Sequence, residues 1–574
     1  MKASVWAPLA ERVRIIAAGE VRDLTRDEND WWHDDVELAD GTRYGFLLDD
    51  DAEPVHDPRS RSLPDGVHGL GQVVETPDPQ PWAGRDLAGG VIYEMHIGTF
   101  TEGGTLDAAI GRLDELVALG VDFVEPLPVN GFNGERNWGY DGVAWYAVDD
   151  TYGGPHAYVR FVDACHARGL GVIQDVVYNH FGPSGNYLPR FGPYLDDANA
   201  NTWGANVNLA EPAVRRYILD NARLWFETYG VDGLRLDAVH ALVDPTPRHI
   251  LSELSQQTQE LQEWLERPLT LIAESDLNDP VMILPRDEGG YGMTAQWCDD
   301  YHHAVHSALT GEADGYYSDF ASLSALAKAA TKGFVHDGTF STFRGRPHGS
   351  PIPPEVPRSR LVTFVQDHDQ IGNRAEGDRL TEALSDDRLA VAAVLNLCSP
   401  FTPMIFMGEE WAASTPWQFF TGHPEPELGE ATAEGRIAEF AQLGWDPEIV
   451  PDPQDPETFR RSHLDWGERE RDPHRRILDL YRELIALRRR EPEFSDPRFS
   501  ELSAESDDDA KTFRLRLGAV QVLVNLGTGD WDAGAGRMLL ATSPRVRVSA
   551  AGVVLPPDTA AVLRMPDVES LNIG

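Results

Sequence analysis

The sequence predicts an α/β protein: a (β/α)8 TIM barrel with an N-terminal β-sandwich domain and a small C-terminal β-domain. From Gly90 onward, short apolar segments alternate with long amphipathic ones, the pattern of βα units around a parallel sheet. The flanking regions instead alternate apolar and polar positions residue by residue, as β-strands do. At 574 residues the chain is also too long for a single hydrophobic core.

The N-terminal sandwich is predicted over residues 1–85 and is expected to be carbohydrate-binding-like. Its segments VRIIAAGEV and TRYGFLLDD are separated by clusters of Asp, Gly and Pro, as in a small antiparallel domain. Residues 75–90, ETPDPQPWAGRDLAGG, are rich in Pro and Gly, so we expect them to link the sandwich to the barrel.

The barrel with its inserted loops is predicted over residues 86–495. Its eight strands are expected in VIYEMHIGTF, VDFVEPLPV, GVIQDVVYNH, VDGLRLDAV, LTLIAESD, AQWCDDYHH, RLVTFVQDHD and PFTPMIFMGEE. Helices are expected near residues 105–120, 156–170, 211–230, 248–263 and 474–492. The long polar segments 181–210 and 410–470 are expected to build a substrate cleft at the C-terminal face. Residues 496–574, with TFRLRLG, VQVLVNLG and RVRVSA, predict the closing β-domain.

The overall charge excludes some classes of partner. The chain has 49 basic and 94 acidic residues, a formal net charge of −45, which repels phosphate backbones and anionic membranes. We therefore expect no nucleic-acid and no membrane partner. The N-terminus lacks the apolar core of a signal peptide, and three widely spaced cysteines fit a reducing compartment. These features predict a cytoplasmic protein.

Polar residues close five of the predicted strands, where the functional groups of such barrels lie. They are Asp175, Asn179 and His180 for the third strand, Arg235, Asp237 and His240 for the fourth, Glu274 and Asp276 for the fifth, Asp299, Asp300, His302 and His303 for the sixth, and Asp367, His368 and Asp369 for the seventh. Converging carboxylates raise one another's pKa, so one stays ionised while another keeps a proton. Glycoside hydrolysis uses such a pair.

Asp237 and Glu274 are the candidates for this pair. They close adjacent strands, which can supply the separation of roughly 5–5.5 Å found in retaining glycosidases. Arg235 precedes Asp237 by two residues, so both side chains point to the same side of the sheet. We expect its positive charge to hold a neighbouring carboxylate ionised.

A metal site is an alternative use of the His and Asp clusters, and DDYHH offers two adjacent histidines. Adjacent residues on a strand face opposite ways, so His302 and His303 are not expected to bind one ion. Asn179 could contribute to a calcium site, but no acidic EF-hand spacing accompanies it. We therefore predict no metal.

Aromatic residues lie near the same strand ends, and sugar rings stack on aromatic faces. They are Trp138, Tyr140, Trp203, Tyr316, Tyr317, Phe343, Trp411 and Trp417. A groove lined by them would suit a glucan chain. Ordinary core packing is the alternative for each one.

Four short segments resemble the α-amylase superfamily of glycoside hydrolases. In chain order they are DVVYNH (175–180), GLRLDAVH (233–240), IAES (272–275) and QDHD (366–369). The resemblance implies that Asp237 is the nucleophile, that Glu274 is the acid/base and that Asp369 stabilises the distorted sugar. The substrate-binding residues that we predict around them are Tyr140, Asp175, His180, Trp203, Arg235, His240 and His368.

Longer segments, such as NWGYDGVAWYAVDDTYGGP, FRGRPHG and MGEEWAASTPWQFF, are similar to the maltooligosyltrehalose trehalohydrolases. This resemblance implies hydrolysis of the α-1,4 bond next to the terminal α,α-trehalose of maltooligosyltrehalose, for trehalose biosynthesis and without a cofactor. The implied partners are maltooligosyltrehalose, related α-glucans and, functionally, an enzyme that forms maltooligosyltrehalose. Tyr316, Phe343 and Arg344 are the implied contacts of the trehalose end.

Two other functions stay open at this point. A glucan branching or debranching enzyme of the same superfamily would share the sandwich and the four segments. A non-enzymatic glycan-binding protein would also retain the barrel and aromatics, although the intact carboxylate set argues against it. Asp367 departs from the Asn expected in the family, and an extra acid beside His368 would raise the pKa of that imidazole.

Overall fold

The computed structural model describes residues 1–201, 204–442, 449–498, 502–549 and 552–565. Eight parallel strands form a closed barrel in chain order, which confirms the predicted fold class. We label them β1 (Ile92–Met95), β2 (Phe123–Pro126), β3 (Gly171–Val176), β4 (Gly233–Leu236), β5 (Thr270–Ala273), β6 (Ala295–Trp297), β7 (Leu361–Thr363) and β8 (Thr402–Phe406). β8 pairs with β1, so the sheet closes on itself.

The N-terminal region is an antiparallel sandwich, as predicted. One sheet contains Lys2–Trp6, Thr25–Arg26 and Trp31–Glu37, and the other contains Val13–Ala17, Glu20–Asp23, Arg43–Leu48 and Gly71–Gln72. Val13, Ile15 and Ala17 alternate inward along one strand and are buried, because successive strand residues point to opposite faces.

The predicted linker, residues 75–90, belongs to the described part of the chain and has no helix or strand there, but it is anchored to the barrel. The Trp82 indole N–H donates to Asp232 Oδ1 at 2.7 Å, and its ring stacks on His166 at 4.7 Å. Asp232 directly precedes β4, so this contact lies at the end of the barrel opposite to residues that follow the strands.

Amphipathic helices surround the barrel. The longer ones are Gly154–His166, Pro212–Glu227, Ile250–Leu265, Asp299–Thr310, Leu323–Lys332, Asp386–Leu397 and His474–Arg490. Shorter ones are Ile97–Phe100, Leu106–Ile110, Leu113–Leu119, Leu188–Phe191, His368–Gly372, Leu380–Ala383 and Pro456–Arg461. The single helix expected at 105–120 is divided, because Gly111 caps the first part through hydrogen bonds to Ala108 and Ala109. None of the helices within the described ranges is long and apolar enough to cross a membrane.

The two long loops carry short elements of their own. The first contains the strand pair Leu195–Asn201 and Gly204–Val207, and the second contains the helix Pro426–Gln442. Two smaller strand pairs lie in other loops. One follows β2 and pairs Asn130–Gly131 with Ala144–Val148. The other follows β6 and pairs Phe340–Ser341 with Arg346–Pro347.

The C-terminal region is antiparallel, as predicted. A five-stranded sheet contains Leu502–Asp507, Thr512–Leu517, Val520–Asn525, Arg537–Ala541 and Thr559–Arg564, and a three-stranded sheet contains Trp531–Asp532, Arg547–Ser549 and Gly552–Leu555. The predicted boundaries between the three domains stay predictions.

The predicted extent of the sixth strand is wrong. β6 ends at Trp297, and DDYHH lies in the helix Asp299–Thr310, whose first turn carries two acidic residues that favour the positive end of the helix dipole. His302 and His303 therefore do not alternate between the two faces of a strand, and the reason given for excluding a shared ion does not apply to them. Among the described residues, no group of three or more His, Cys, Asp or Glu side chains could hold a metal ion.

Candidate active site

Arg235 lies at the centre of a carboxylate cluster at the C-terminal end of the barrel. It is the third residue of β4, and its side chain is fully buried. Nη1 donates to Asp175 Oδ2 and to Asp237 Oδ1, each at 2.9 Å, and Nη2 lies 3.6 Å from Glu274 Oε2. One rigid guanidinium therefore holds the carboxylates of Asp237 and Glu274 beside each other.

Asp237 directly follows β4 and is held from two sides. Asn179 Nδ2 donates to Asp237 Oδ2 at 2.8 Å, while Arg235 binds the other carboxylate oxygen. These two donors fix the orientation of the carboxylate and complement its negative charge. The side chain is 12% exposed, so part of the carboxylate remains accessible.

Glu274 directly follows β5 and accepts a hydrogen bond from the Ala238 backbone N–H at Oε2. Ala238 adopts a left-handed conformation, with φ of 38°, which is strained for a residue with a side chain. Burial raises the pKa of Glu274 to about 7; the charge of Arg235 opposes this rise, and the charges of Asp237 and Asp369 contribute to it. Near neutral pH this group can therefore hold a proton or release one.

His368 and Tyr140 form the floor beside these carboxylates. The Tyr140 hydroxyl donates to Asp175 Oδ2 at 2.7 Å, and its ring stacks on His368 with centroids 5.0 Å apart. Burial alone would lower the pKa of His368, but Glu94, Asp369 and Asp367 outweigh it and raise this pKa to about 10. The direction agrees with the effect expected for an extra acid at position 367.

Asp369 extends from this floor into the cleft. Its Oδ1 lies 3.6 Å from His368 Nε2, and 48% of its side chain is exposed. The predicted strand end is replaced here by the helix His368–Gly372, which Asp367 caps by accepting from the Gln370 N–H at 2.7 Å. The cap turns the chain so that Asp369 faces the site.

The remaining predicted subsite residues are placed differently. His180 lies close to Tyr140, with Nε2 2.9 Å from the backbone oxygen of Tyr140. His240 lies beside Asp276, with Nδ1 3.8 Å from Asp276 Oδ1. Trp203 lies outside the described residues, so its predicted role stays a prediction.

Tyr316, Phe343 and Arg344 line one cavity together with Asp276 and Asp299. Arg344 Nη2 contacts Asp276 Oδ2 at 3.0 Å. Because Asp276 lies two residues after Glu274, the cavity borders the carboxylate cluster. The Tyr316 and Phe343 rings stand edge to face, 6.1 Å apart, and are 41% and 57% exposed. Such exposed aromatic faces are available to a ligand.

The predicted groove role of Trp411 and Trp417 is wrong, because both are core residues with at most 1% exposure. Trp417 stacks on Trp138 at 5.3 Å and donates to the His368 backbone oxygen at 2.9 Å. Trp411 packs against Trp466 at 5.0 Å. Tyr317 and Trp138 are buried too, at 3% and 5% exposure. These aromatics support the loops that carry the site.

Three contacts were missed by sequence reasoning. Asn179 is predicted at the end of the third strand and weighed as a calcium ligand, but its contact with Asp237 is not predicted. The Trp297 ring lies 4.2 Å from the Arg235 guanidinium carbon, a cation–π contact. Glu94 on β1 contacts His368. A glutamate in the middle of the apolar segment VIYEM was the available signal for Glu94, because buried carboxylates need partners.

Comparison with known proteins places this geometry among glycoside hydrolases. A family model for the α-amylase catalytic domain matches residues 60–203. The malto-oligosyltrehalose trehalohydrolase of Rhizobium sp. (strain M-11) is 56% identical over 577 residues, which covers 98% of this chain and 97% of that protein. A protein of the same name from Arthrobacter ramosus is also 56% identical, covering 98% and 99%.

A crystal structure from Salmonella typhimurium, provisionally assigned as an α-amylase, has the same fold. It is 36% identical, superposes with a TM-score of 0.91, and covers 98% of this chain and 97% of that chain. The barrel and both flanking β-regions are therefore shared.

Proposed function

This chain belongs to the malto-oligosyltrehalose trehalohydrolase family of α-amylase-type glycoside hydrolases, and we propose that it hydrolyses the α-1,4-glucosidic bond next to the terminal α,α-trehalose of maltooligosyltrehalose. The products are trehalose and a malto-oligosaccharide. The observation that carries this proposal is the 56% identity to a trehalohydrolase over nearly the full length of both chains. The Arg235-bridged carboxylates supply the chemistry.

The first step is transfer of the malto-oligosaccharide to the enzyme. Glu274 donates its proton to the glycosidic oxygen, so trehalose leaves as a neutral alcohol. Asp237 attacks the anomeric carbon and forms a covalent glycosyl ester. The pKa of Glu274, raised to about 7 by burial, supports the role of proton donor. The two hydrogen bonds on Asp237 support the role of a fixed nucleophile.

The second step is hydrolysis of this ester. Glu274, now ionised, takes a proton from a water molecule, whose oxygen attacks the anomeric carbon. The bond to Asp237 breaks and the carboxylate is regenerated. Because both steps invert the anomeric carbon, the released malto-oligosaccharide begins as the α-anomer.

The sugar at the point of cleavage is assigned to the floor of the cluster. Asp369 is proposed to stabilise the distorted ring through its exposed carboxylate. Tyr140, His180 and His368 are proposed to line this subsite, and Asp175 supports it from below by accepting from both Tyr140 and Arg235. Their mutual contacts keep the subsite rigid.

The trehalose end is assigned to the cavity that Tyr316, Phe343 and Arg344 line. Tyr316 and Phe343 offer aromatic faces for sugar stacking, and Arg344 offers hydrogen-bond donors. Asp276, which lines this cavity, has its Oδ1 3.8 Å from His240 Nδ1. An enzyme that forms maltooligosyltrehalose is the expected functional partner, and the cytoplasm is the expected location.

Product analysis tests the proposal against its alternatives. The purified protein is incubated separately with maltotriosyl-trehalose and with maltopentaose, and the released sugars are followed by chromatography. The proposal predicts stoichiometric trehalose and maltotriose from the first substrate and little cleavage of the second. Equal cleavage of both substrates would indicate a general amylase. Activity only on branched glucans would favour the branching or debranching alternative, and binding without cleavage would indicate a glycan-binding protein.

A further inference from the structure

Glu94 makes a two-point contact with His368 beneath the sugar subsite. It lies on β1 and is fully buried. Its Oε2 accepts from the His368 backbone N–H at 3.1 Å, and its Oε1 lies 2.6 Å from His368 Nδ1. One carboxylate therefore fixes both the backbone and the ring of this histidine.

The other contacts of His368 leave the ring little freedom. Tyr140 stacks on one face, and the His368 backbone oxygen accepts from the Trp417 indole. With Nδ1 bound to Glu94, Nε2 is the ring nitrogen that faces the cleft, 3.6 Å from Asp369 Oδ1. A donor at this position would meet the hydroxyl groups of a sugar bound beside Asp369.

We propose that Glu94 is a positioning residue for the reaction: it fixes His368 so that a charged ring directs its Nε2–H at the sugar subsite. This inference rests on the proposed function, since it names a contributor to the same site. Glu94 itself does not reach the substrate. It acts through His368, in the way that a buried carboxylate orients a histidine in other catalytic sites.

The charged and titratable groups that surround this pair come from several strands. They are His96 after β1, Glu125 on β2, Asp175 on β3, Arg235 on β4, and Asp367 and Asp369 after β7. Glu125 pairs in register with Glu94 and is also fully buried, but neither of its carboxylate oxygens has a hydrogen-bond partner within the described part of the chain. Burial raises the pKa of Glu125 well above its usual value. Glu94 is therefore the buried acid in direct contact with the ring.

The test compares E94Q with the matched control E125Q. The amide that E94Q introduces could still accept from the His368 N–H, but without the carboxylate charge the pKa of His368 falls from about 10. The ring is charged below its pKa, so the variant loses this charge as pH rises through the lowered value. Because the amide has a single oxygen, it can replace only one of the two contacts, so kcat should fall at every pH. We expect the ratio of E94Q to wild-type kcat to be about tenfold lower at pH 8 than at pH 5. For E125Q, the pH profile of kcat should keep the wild-type shape.

A double-mutant cycle separates positioning from general damage. In an H368Q background, E94Q should have no further effect on the pH dependence of kcat, because its only route of action is removed. A ratio of E94Q to wild-type kcat that is constant with pH would overturn the inference. An equal pH-dependent loss of kcat in the H368Q background would also overturn it.

If E94Q does not fold, E94D is tested in its place. It keeps the charge, so its pH profile should keep the wild-type shape, and a shifted profile would contradict the inference.

The proposed function can fail independently. If the wild-type protein releases no trehalose from maltotriosyl-trehalose, the proposed function fails. If the wild type is active and the pH profile of E94Q is the same as that of the wild type, only the proposed role of Glu94 fails.

Discussion

At the scale of single residues, Arg235 is the positive charge that holds the carboxylates of the site together. Its guanidinium is buried, stacks on Trp297 and contacts the carboxylates of Asp175, Asp237 and Glu274. Separate environments then distinguish the two candidate catalytic acids. Asp237 accepts a hydrogen bond from the charged Arg235 on one oxygen and from the neutral Asn179 on the other. Burial instead raises the pKa of Glu274 to about 7. Two identical functional groups can therefore perform different steps.

Replacement of Asp237 tests the nucleophile. D237N keeps the size of the side chain but removes the negative oxygen, so kcat/KM for maltotriosyl-trehalose should fall by about a thousandfold or more. D287N, at an exposed aspartate outside the carboxylate cluster, is the matched control and should retain activity. Near-normal activity of folded D237N would overturn the assignment.

The pH dependence tests the acid. Glu274 must be protonated in the free enzyme, and it loses its proton as pH rises through its pKa of about 7. We therefore expect kcat/KM to be high below that pH and to fall about tenfold for each unit above it. E274Q should remove this alkaline limb together with most activity on natural substrate. An alkaline limb that persists in E274Q would assign it to another group.

At the scale of elements, the strand ends were predictable because apolar strands closed by polar residues are visible in sequence. β3, β4 and β5 place Asp175, Asp237 and Glu274 together as expected. The helical start of Asp299–Thr310 was not predictable from alternation, since AQW is too short to show where a strand stops. The left-handed conformation of Ala238 was also not predictable from the sequence, because it depends on the contact between this loop and Glu274 rather than on the alanine side chain.

Tertiary packing determines which aromatic side chains are buried in the core. Trp417 and Phe343 both follow barrel strands in polar loops, yet Trp417 is buried and Phe343 is 57% exposed. No local pattern in the sequence distinguishes them. Their positions depend on contacts between loops that are distant in the chain, such as that of Trp417 with Trp138.

The hairpin formed by Phe340–Ser341 and Arg346–Pro347 provides a test at this scale. Phe343 lines the cavity that we propose for trehalose, whereas Phe340 is also exposed but is not among the cavity-lining residues. Loss of a stacking face predicts that F343A raises KM for maltotriosyl-trehalose about three- to tenfold. F340A should leave KM near that of wild type. Equal KM values for the two variants would contradict the assignment of this cavity.

At the scale of the whole molecule, the barrel supports β-structure at both ends of the chain. The linker contact of Trp82 with Asp232 joins the N-terminal side, and Arg388 contacts Asp558 at 2.8 Å on the C-terminal side. These contacts cross predicted domain boundaries. The fold class was therefore easier to predict than the way in which the domains pack, which depends on pairs far apart in sequence.

The net charge of −45 has a measurable consequence for the whole chain. Like charges repel each other in the compact state, and added salt screens that repulsion. The thermal midpoint should therefore rise by a few degrees, roughly 2–6 °C, between 20 mM and 500 mM NaCl at pH 7.5. KCl at the same ionic strength should give the same rise. A midpoint that falls with salt would indicate that attractive ion pairs dominate instead.

Proton NMR of maltotriosyl-trehalose during its first turnovers with the wild-type enzyme tests retaining cleavage at the trehalose unit. Double displacement at the trehalose unit predicts signals of free trehalose together with an equal amount of maltotriose whose new reducing end is initially the α-anomer. This single spectrum reports both the bond that is cleaved and the stereochemistry of the Asp237 pathway. Initial β-anomer would contradict double displacement, and maltotriose ends without free trehalose would contradict cleavage at the trehalose unit.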